Sequence, residues 1–210
     1  MPINTKDREY REINVTELET REEQDGKKIV EGYATVFNQE YKLFGDDRYQ
    51  VMESVDRGAF ENADMQDVIM QYDHEGRVFA RVSNGTLALK ADDHGLKIRA
   101  DLSGTEIGRQ LYEEIRGGYT TKMSFGFKTK KAERTEVQDA ETGGITVHRK
   151  ITEIKKLYDV SAVSIPANDA TEISARNIGE GVIAEVKQEL LAREARERKK
   201  TQIAIAAKSI

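Results

Sequence analysis

Extended patterning dominates this chain and limits its fold more than any other feature. Tyr119–Val137 and Ile145–Ser164 are two long strand-like segments joined by the turn-forming stretch DAETGG, and Pro166 closes the second. Upstream, KIVEGYATVF at Lys28–Phe37 is rich in β-branched and aromatic residues. Val51–Val55 reads as a short strand, and Val68–His74 as a buried strand that ends at the loop DHEGR. Val78–Val82 is another strand, and Leu87–Ala91 with Leu96–Leu102 flanks Asp92-Asp93-His94-Gly95 in the pattern of a hairpin. One well-marked helix stands between these groups, from Ser103 to Gly117. Ser103 with Glu106 matches a capping box, Ile107, Leu111 and Ile115 make one apolar stripe, and Gly117-Gly118 supplies a left-handed stop. Asp56 is placed to cap a short helix through Phe60 and Ala63. Strands, one central helix, then strands do not form a regular βαβ repeat. The expected fold is α+β, mainly β: an antiparallel sheet or barrel with surrounding helices.

The chain has 210 residues, 38% of them hydrophobic, which is enough for one core and low for two. Residues 1–27 alternate charges without a sustained apolar period and read as an N-terminal extension, with at most a strand around Ile13–Leu18 and a turn at Asp25-Gly26. Residues 28–178 form the expected domain. Residues 179–210 read as a charged helical tail whose apolar stripe is thin (Ile183, Val186, Leu190), hence solvated or partner-dependent. With 33 basic against 38 acidic residues the net charge is −5, so there is no global pull toward nucleic acid or an acidic membrane surface. No apolar run reaches the roughly 18 residues of a membrane span, and the polar start MPINTKDREYREI does not read as a secretory signal. The absence of cysteine excludes disulfides, thiolate zinc sites and cysteine nucleophiles, and it fits a reducing compartment.

Three positions stand out chemically. In the strand KMSFGF, Met123, Phe125 and Phe127 share a core-like face, while Ser124 points the other way beside Gly126, whose missing side chain leaves room for a backbone or a ligand. His74 ends a mostly apolar strand on the face of Val68, Met70 and Tyr72, and the adjacent Asp73 is poorly placed to orient it. Asp159 lies within the apolar run LYDVSAVSIP, on the face of Leu157, Ser161 and Val163, where a carboxylate is costly unless paired. Each has an ordinary reading as well: a strand serine, a strand-end histidine, and an edge aspartate that meets water or a lysine. His94 and His148 read as surface residues, and a metal site would need more imidazoles or a tighter carboxylate group. Ser124, His74 and Asp159 have complementary chemistry as nucleophile, base and orienting acid, but only geometry can join them.

The chain resembles the prohead maturation serine proteases of tailed bacteriophages. The resemblance rests on GYATVFN (Gly32–Asn38), RGAF (Arg57–Phe60), QYDHEGRVFARV (Gln71–Val82), the ADDHGLKIRADL hairpin, GGYTTKMSFGF and LYDVSAVSIPANDA (Leu157–Ala170), in that order. It implies a fold similar to herpesvirus assemblin proteases and a serine endopeptidase with His74 and Ser124 as base and nucleophile. The third member, commonly glutamate in the family, falls on Asp159 here. Oxyanion donors would come from backbone N–H groups at Ile165–Asn168, with Arg77 and Arg81 as possible helpers. The implied substrates are scaffold, or the scaffolding segment of the major capsid protein, and the enzyme itself, inside a procapsid in the host cytoplasm. Self-cleavage could remove the charged tail, and no cofactor is implied. The competing readings are a non-catalytic capsid-assembly or scaffold-binding protein of the same fold, and an unrelated β-rich binding module.

Overall fold

The computed structural model describes residues 8–13, 18–46, 48–163 and 169–207. Eleven strands and two helices follow in the order β1 (Glu9–Ile13), β2 (Glu19–Glu22), β3 (Lys28–Val36), β4 (Tyr41–Gly45), β5 (Tyr49–Val55), β6 (Ile69–Tyr72), β7 (Glu75–Arg81), β8 (Leu87–Ala91), β9 (Gly95–Asp101), α1 (Glu106–Arg116), β10 (Lys122–Gln138), β11 (Ile145–Val163) and α2 (Asp169–Ala207).

The strands make two sheets. One has seven strands, ordered β1-β10-β11-β5-β4, with β6 added to β11 and β7 to β6; the other has four, ordered β2-β3-β9-β8. No closed barrel is found among the described residues, so the barrel of the sequence-based expectation gives way to two sheets around one core. Nor is the larger sheet purely antiparallel. β11 is long enough to pair parallel with β5 through Ile145–Ile151 and then parallel with β6 through Asp159–Ala162, while β10 runs antiparallel along its other edge. The core gathers Val30, Ala34, Met70, Ile98, Leu111, Met123, Phe125, Phe127, Ile151 and Val160 from both sheets and α1, with Phe60 from the turns after β5.

Several local expectations shift by a few residues. The cap of α1 is Thr105, whose hydroxyl accepts from Gly108 N at 3.0 Å. Ser103, expected in that role, instead accepts from Lys28 N and donates to Asp101, tying β3 to the end of β9. Leu111, Tyr112 and Ile115 face the core, and Gly118, at φ 74°, provides the left-handed stop. Asp56 opens a run of turns rather than a helix, its carboxylate accepting from Gly58 N at 2.8 Å.

The two ends of the chain contribute more than patterning suggested. The segment before Lys28 supplies β1, paired with β10, and β2, paired with β3. The expected strand around Ile13–Leu18 falls largely on residues 14–17, outside the described ones. At the other end, the thin stripe of α2 is used: Val186 is fully buried with Val51, Ile145 and Val147, flanked by Ile183 and Leu190. Gly179 lies against the Phe44 ring, and Arg134 reaches Glu185 and Glu189. Beyond Leu190 the described side chains are exposed through Lys200.

Candidate active site

Ser124 is held in the middle of the larger sheet. On β10 it lies opposite Ser161 of β11, and Gly126 lies opposite Asp159. Met123, Phe125 and Phe127 are fully buried in the core, so alternation presents Ser124 on the other face. A register shift between Gly126 and Phe127 places Tyr158 as an extra residue in β11. That bulge corrects the expected facing. Leu157 packs into the core with Phe127, whereas Asp159 turns to the side of Ser124 and Ser161. Simple alternation would have kept Leu157 and Asp159 together.

His74 is positioned by a turn rather than by the end of a strand. Tyr72 pairs with Glu75 across β6 and β7, leaving Asp73-His74 as a two-residue loop with φ of 48° and 60°. Positive φ at both positions is the signature of a type I′ hairpin, normally filled by Asn-Gly. Two side-chain-bearing residues there carry strain, which the sheet holds: Asp73 N donates to Ala162 O at 3.0 Å, fixing the turn to the end of β11.

These elements bring the three residues together. Nδ1 of His74 is 2.5 Å from Oδ1 of Asp159, and Nε2 is 2.5 Å from Oγ of Ser124. Ser161 Oγ donates to the same Asp159 oxygen at 3.0 Å and lies 3.2 Å from Nδ1. Asp159 Oδ2 is buried and has no hydrogen-bond partner among the described residues. The space beside Ser124 that Gly126 leaves open is filled: a Cβ on Gly126 would lie 2.3 Å from Asp159 Oδ2 and 2.8 Å from the Tyr10 ring. The Tyr10 ring also packs on the His74 imidazole, with centroids 4.5 Å apart. Burial first, and the Asp159 charge second, raise the Tyr10 phenol above its ordinary pKa.

Ser124 is 0% exposed, and the His74 and Asp159 side chains are 2% and 1% exposed. The cover is β1. Ser124 Oγ donates to the backbone oxygen of Arg11 at 3.0 Å. Arg11 is itself buried, its guanidinium on Glu53 of β5. Glu53 also accepts from Arg149 and, at 2.6 Å, from the Tyr41 hydroxyl. Burial works against the Glu53 charge, but Arg11 and Arg149 outweigh it and hold the carboxyl below its ordinary range. This cluster was not legible in the sequence. Its one signal was the alternation of EYREI, and nothing local tells a buried arginine from a solvated one.

The other candidates lie elsewhere. His94 sits at the β8–β9 turn against Tyr33, and His148 pairs with Glu40 at 2.7 Å. Arg81 is bound to Asp67, and Arg77 is exposed on β7. The expected oxyanion segment Ile165–Asn168 lies outside the described residues.

A hydroxyl, an imidazole and a carboxylate linked in that order can activate an oxygen nucleophile, the arrangement used by serine hydrolases. The sequence profile of the family described as caudovirus prohead serine protease matches residues 16–186 of the 210. The chain therefore belongs to that family, the serine proteases of capsid maturation in tailed bacteriophages. No curated protein and no solved structure matches it.

Proposed function

We propose that the chain is an endopeptidase of the Ser-His-Asp type that processes scaffold, or the scaffolding segment of the major capsid protein, within the assembling procapsid. The observation that carries this reading is the pair of contacts at one imidazole, Nε2 to Ser124 and Nδ1 to Asp159. Asp159 fixes the ring with Nδ1–H toward the carboxylate, which leaves Nε2 as the base. Ser124 Oγ attacks the scissile carbonyl while His74 takes its proton. His74 then protonates the leaving amine, and a water activated by the same imidazole hydrolyses the acyl-enzyme. Asp159 stabilises the imidazolium that forms at each attack. Backbone N–H groups near Ile165–Asn168, other than at Pro166, which has none, complete the proposal as oxyanion donors. Self-cleavage would remove the tail at residues 179–210, whose described side chains are exposed from Leu191 to Lys200.

The test is co-expression with the phage's capsid protein, read by intact-mass spectrometry. Wild-type enzyme should yield shortened capsid protein, and Ser124→Ala and His74→Ala should yield none. His94→Ala and His148→Ala should process normally. Processing by Ser124→Ala would end the assignment.

A further inference from the structure

β1 lies on the edge of β10 as a substrate strand would. Five residues pair antiparallel, with Tyr10 opposite Gly126, Arg11 opposite Phe125 and Glu12 opposite Ser124. The peptide group nearest the hydroxyl is Arg11–Glu12, since Ser124 Oγ donates to the Arg11 carbonyl oxygen at 3.0 Å. Tyr10, one residue earlier, covers the imidazole ring. Glu9 and Arg11 alternate to the opposite face. This is β-augmentation: backbone pairing holds the strand, and alternate side chains are read by what lies beneath them.

What lies beneath Arg11 is a slot built entirely by other elements. β5 supplies Glu53 at 0% exposure, β4 supplies Tyr41, β11 supplies Arg149 and β10 supplies Phe127, whose ring centroid is 5.5 Å from the guanidinium carbon. Arg11 Nε meets Glu53 Oε1 and Arg11 Nη2 meets Oε2 at 3.1 Å, while Arg149 also meets Oε2. Glu9 Oε2 bridges Arg11 Nη2 at 2.8 Å and Arg149 Nη1 at 3.3 Å. With β1 in place, the two arginines and two glutamates balance. Without it, Arg11 and Glu9 both leave. Glu53 keeps Arg149 on Oε2 and the Tyr41 hydroxyl on Oε1, but Oε1 loses the guanidinium that met it, which leaves a charge-assisted acceptor position open to a second cation. Such a slot selects a cationic side chain.

We infer that β1 is held as a built-in substrate analogue, and that the Glu53 slot selects arginine or lysine immediately before the cleaved bond. An acidic residue two positions earlier would meet Arg149 as Glu9 does. This inference rests on Ser124 being the nucleophile. In a strand held in this register, Oγ bonds to the carbonyl carbon of the basic residue and the C–N bond to the next residue breaks. The Ser124 proton passes through His74 to the departing amine. Water then splits the ester, leaving a carboxylate on the basic residue and the proton back on Ser124. In β1 itself the single hydroxyl proton is directed at the Arg11 carbonyl oxygen, which competes with Nε2 for it.

The experiment maps the residue before each cut. Wild-type enzyme is incubated with the peptide KDREYREINVTE, spanning residues 6–17, and with its Arg11→Lys and Arg11→Gln versions. The cuts made in co-expressed capsid protein are mapped in parallel by mass spectrometry. We expect cleavage after Arg11 and after Lys at that position, with the Gln peptide slower by about a hundredfold or more, and a basic residue before the capsid cuts. Equal cleavage after Gln at position 11, or capsid cuts after non-basic residues, overturns the inference while leaving the protease reading intact. Cleavage of neither peptide nor capsid protein by the wild type sinks the protease reading and this inference with it. Ser124→Ala, run alongside, should cut nothing.

Discussion

Gly126 and Asp159 face each other across the β10–β11 ladder so closely that a methyl group on Gly126 would sit 2.3 Å from Asp159 Oδ2. The carboxylate that holds His74 thus depends on an absent side chain. Gly126→Ala should displace Asp159 or Tyr10 and lower kcat by about a hundredfold, the usual effect of a displacement near 1 Å in such a site. The fold should persist, because the added methyl meets side chains rather than backbone. Circular dichroism with a processing assay checks this, and an undiminished rate would show that the carboxylate need not stay where it is.

Asp159→Asn keeps the shape but presents an amide to Nδ1, which favours the wrong tautomer. Processing should slow by about 10⁴-fold with the melting temperature little changed. A wild-type rate would remove Asp159 from the mechanism.

Arg11 anchors β1 over Ser124, so Arg11→Ala should loosen the cover. Ser124, fully buried in the intact chain, should then react with a fluorophosphonate about tenfold faster or more, as the free energy of opening falls. Unchanged labelling would mean that β1 is held by its backbone pairing alone.

Glu53 makes acid stability a readout of the buried cluster. Although burial opposes its charge, Arg11 and Arg149 depress its carboxyl pKa in the folded chain. A group depressed on folding contributes stability above its unfolded value, about 4.3 for glutamate, and loses it as pH falls through the folded value. Glu53→Gln should therefore lower unfolding free energy by about 3–5 kcal/mol at pH 7. Its gap from wild type should narrow below about pH 4. Urea titrations across pH measure this; a gap that stays constant down to pH 3 would contradict it.

Val186 is fully buried between α2 and the strands that carry Val51, Ile145 and Val147. Val186→Ala should destabilise the fold by about 1–3 kcal/mol. A neutral result in thermal denaturation would show that the helix contributes nothing to the domain.

Much of the architecture was legible because it is written in local periods. Met123, Phe125 and Phe127 announce a strand with one buried face. Asp92–Gly95 announces a hairpin, and Leu111 with Ile115 announces the inward face of α1. Each of these depends on neighbours within a few residues. His74, Ser124 and Asp159 were picked out by chemistry and resemblance, though their orientation was partly misread. The face of Asp159 is set by the bulge at Tyr158, and the direction of His74 by a strained two-residue turn, neither of which has a periodic signature.

The amino-acid sequence alone determined most of the strand segments from Lys28 onward, the core face of β10, and which hydroxyl, imidazole and carboxylate were available. The tertiary structure decided that β11 pairs with three strands, that positions 85 apart in the chain meet at one imidazole ring, and that the charged N-terminal segment closes over them. The physical reason is range. Periodicity reports how a residue relates to the next turn or pleat, whereas the burial of Arg11 depends on a glutamate 42 positions away, a relation that exists only once the sheet has formed.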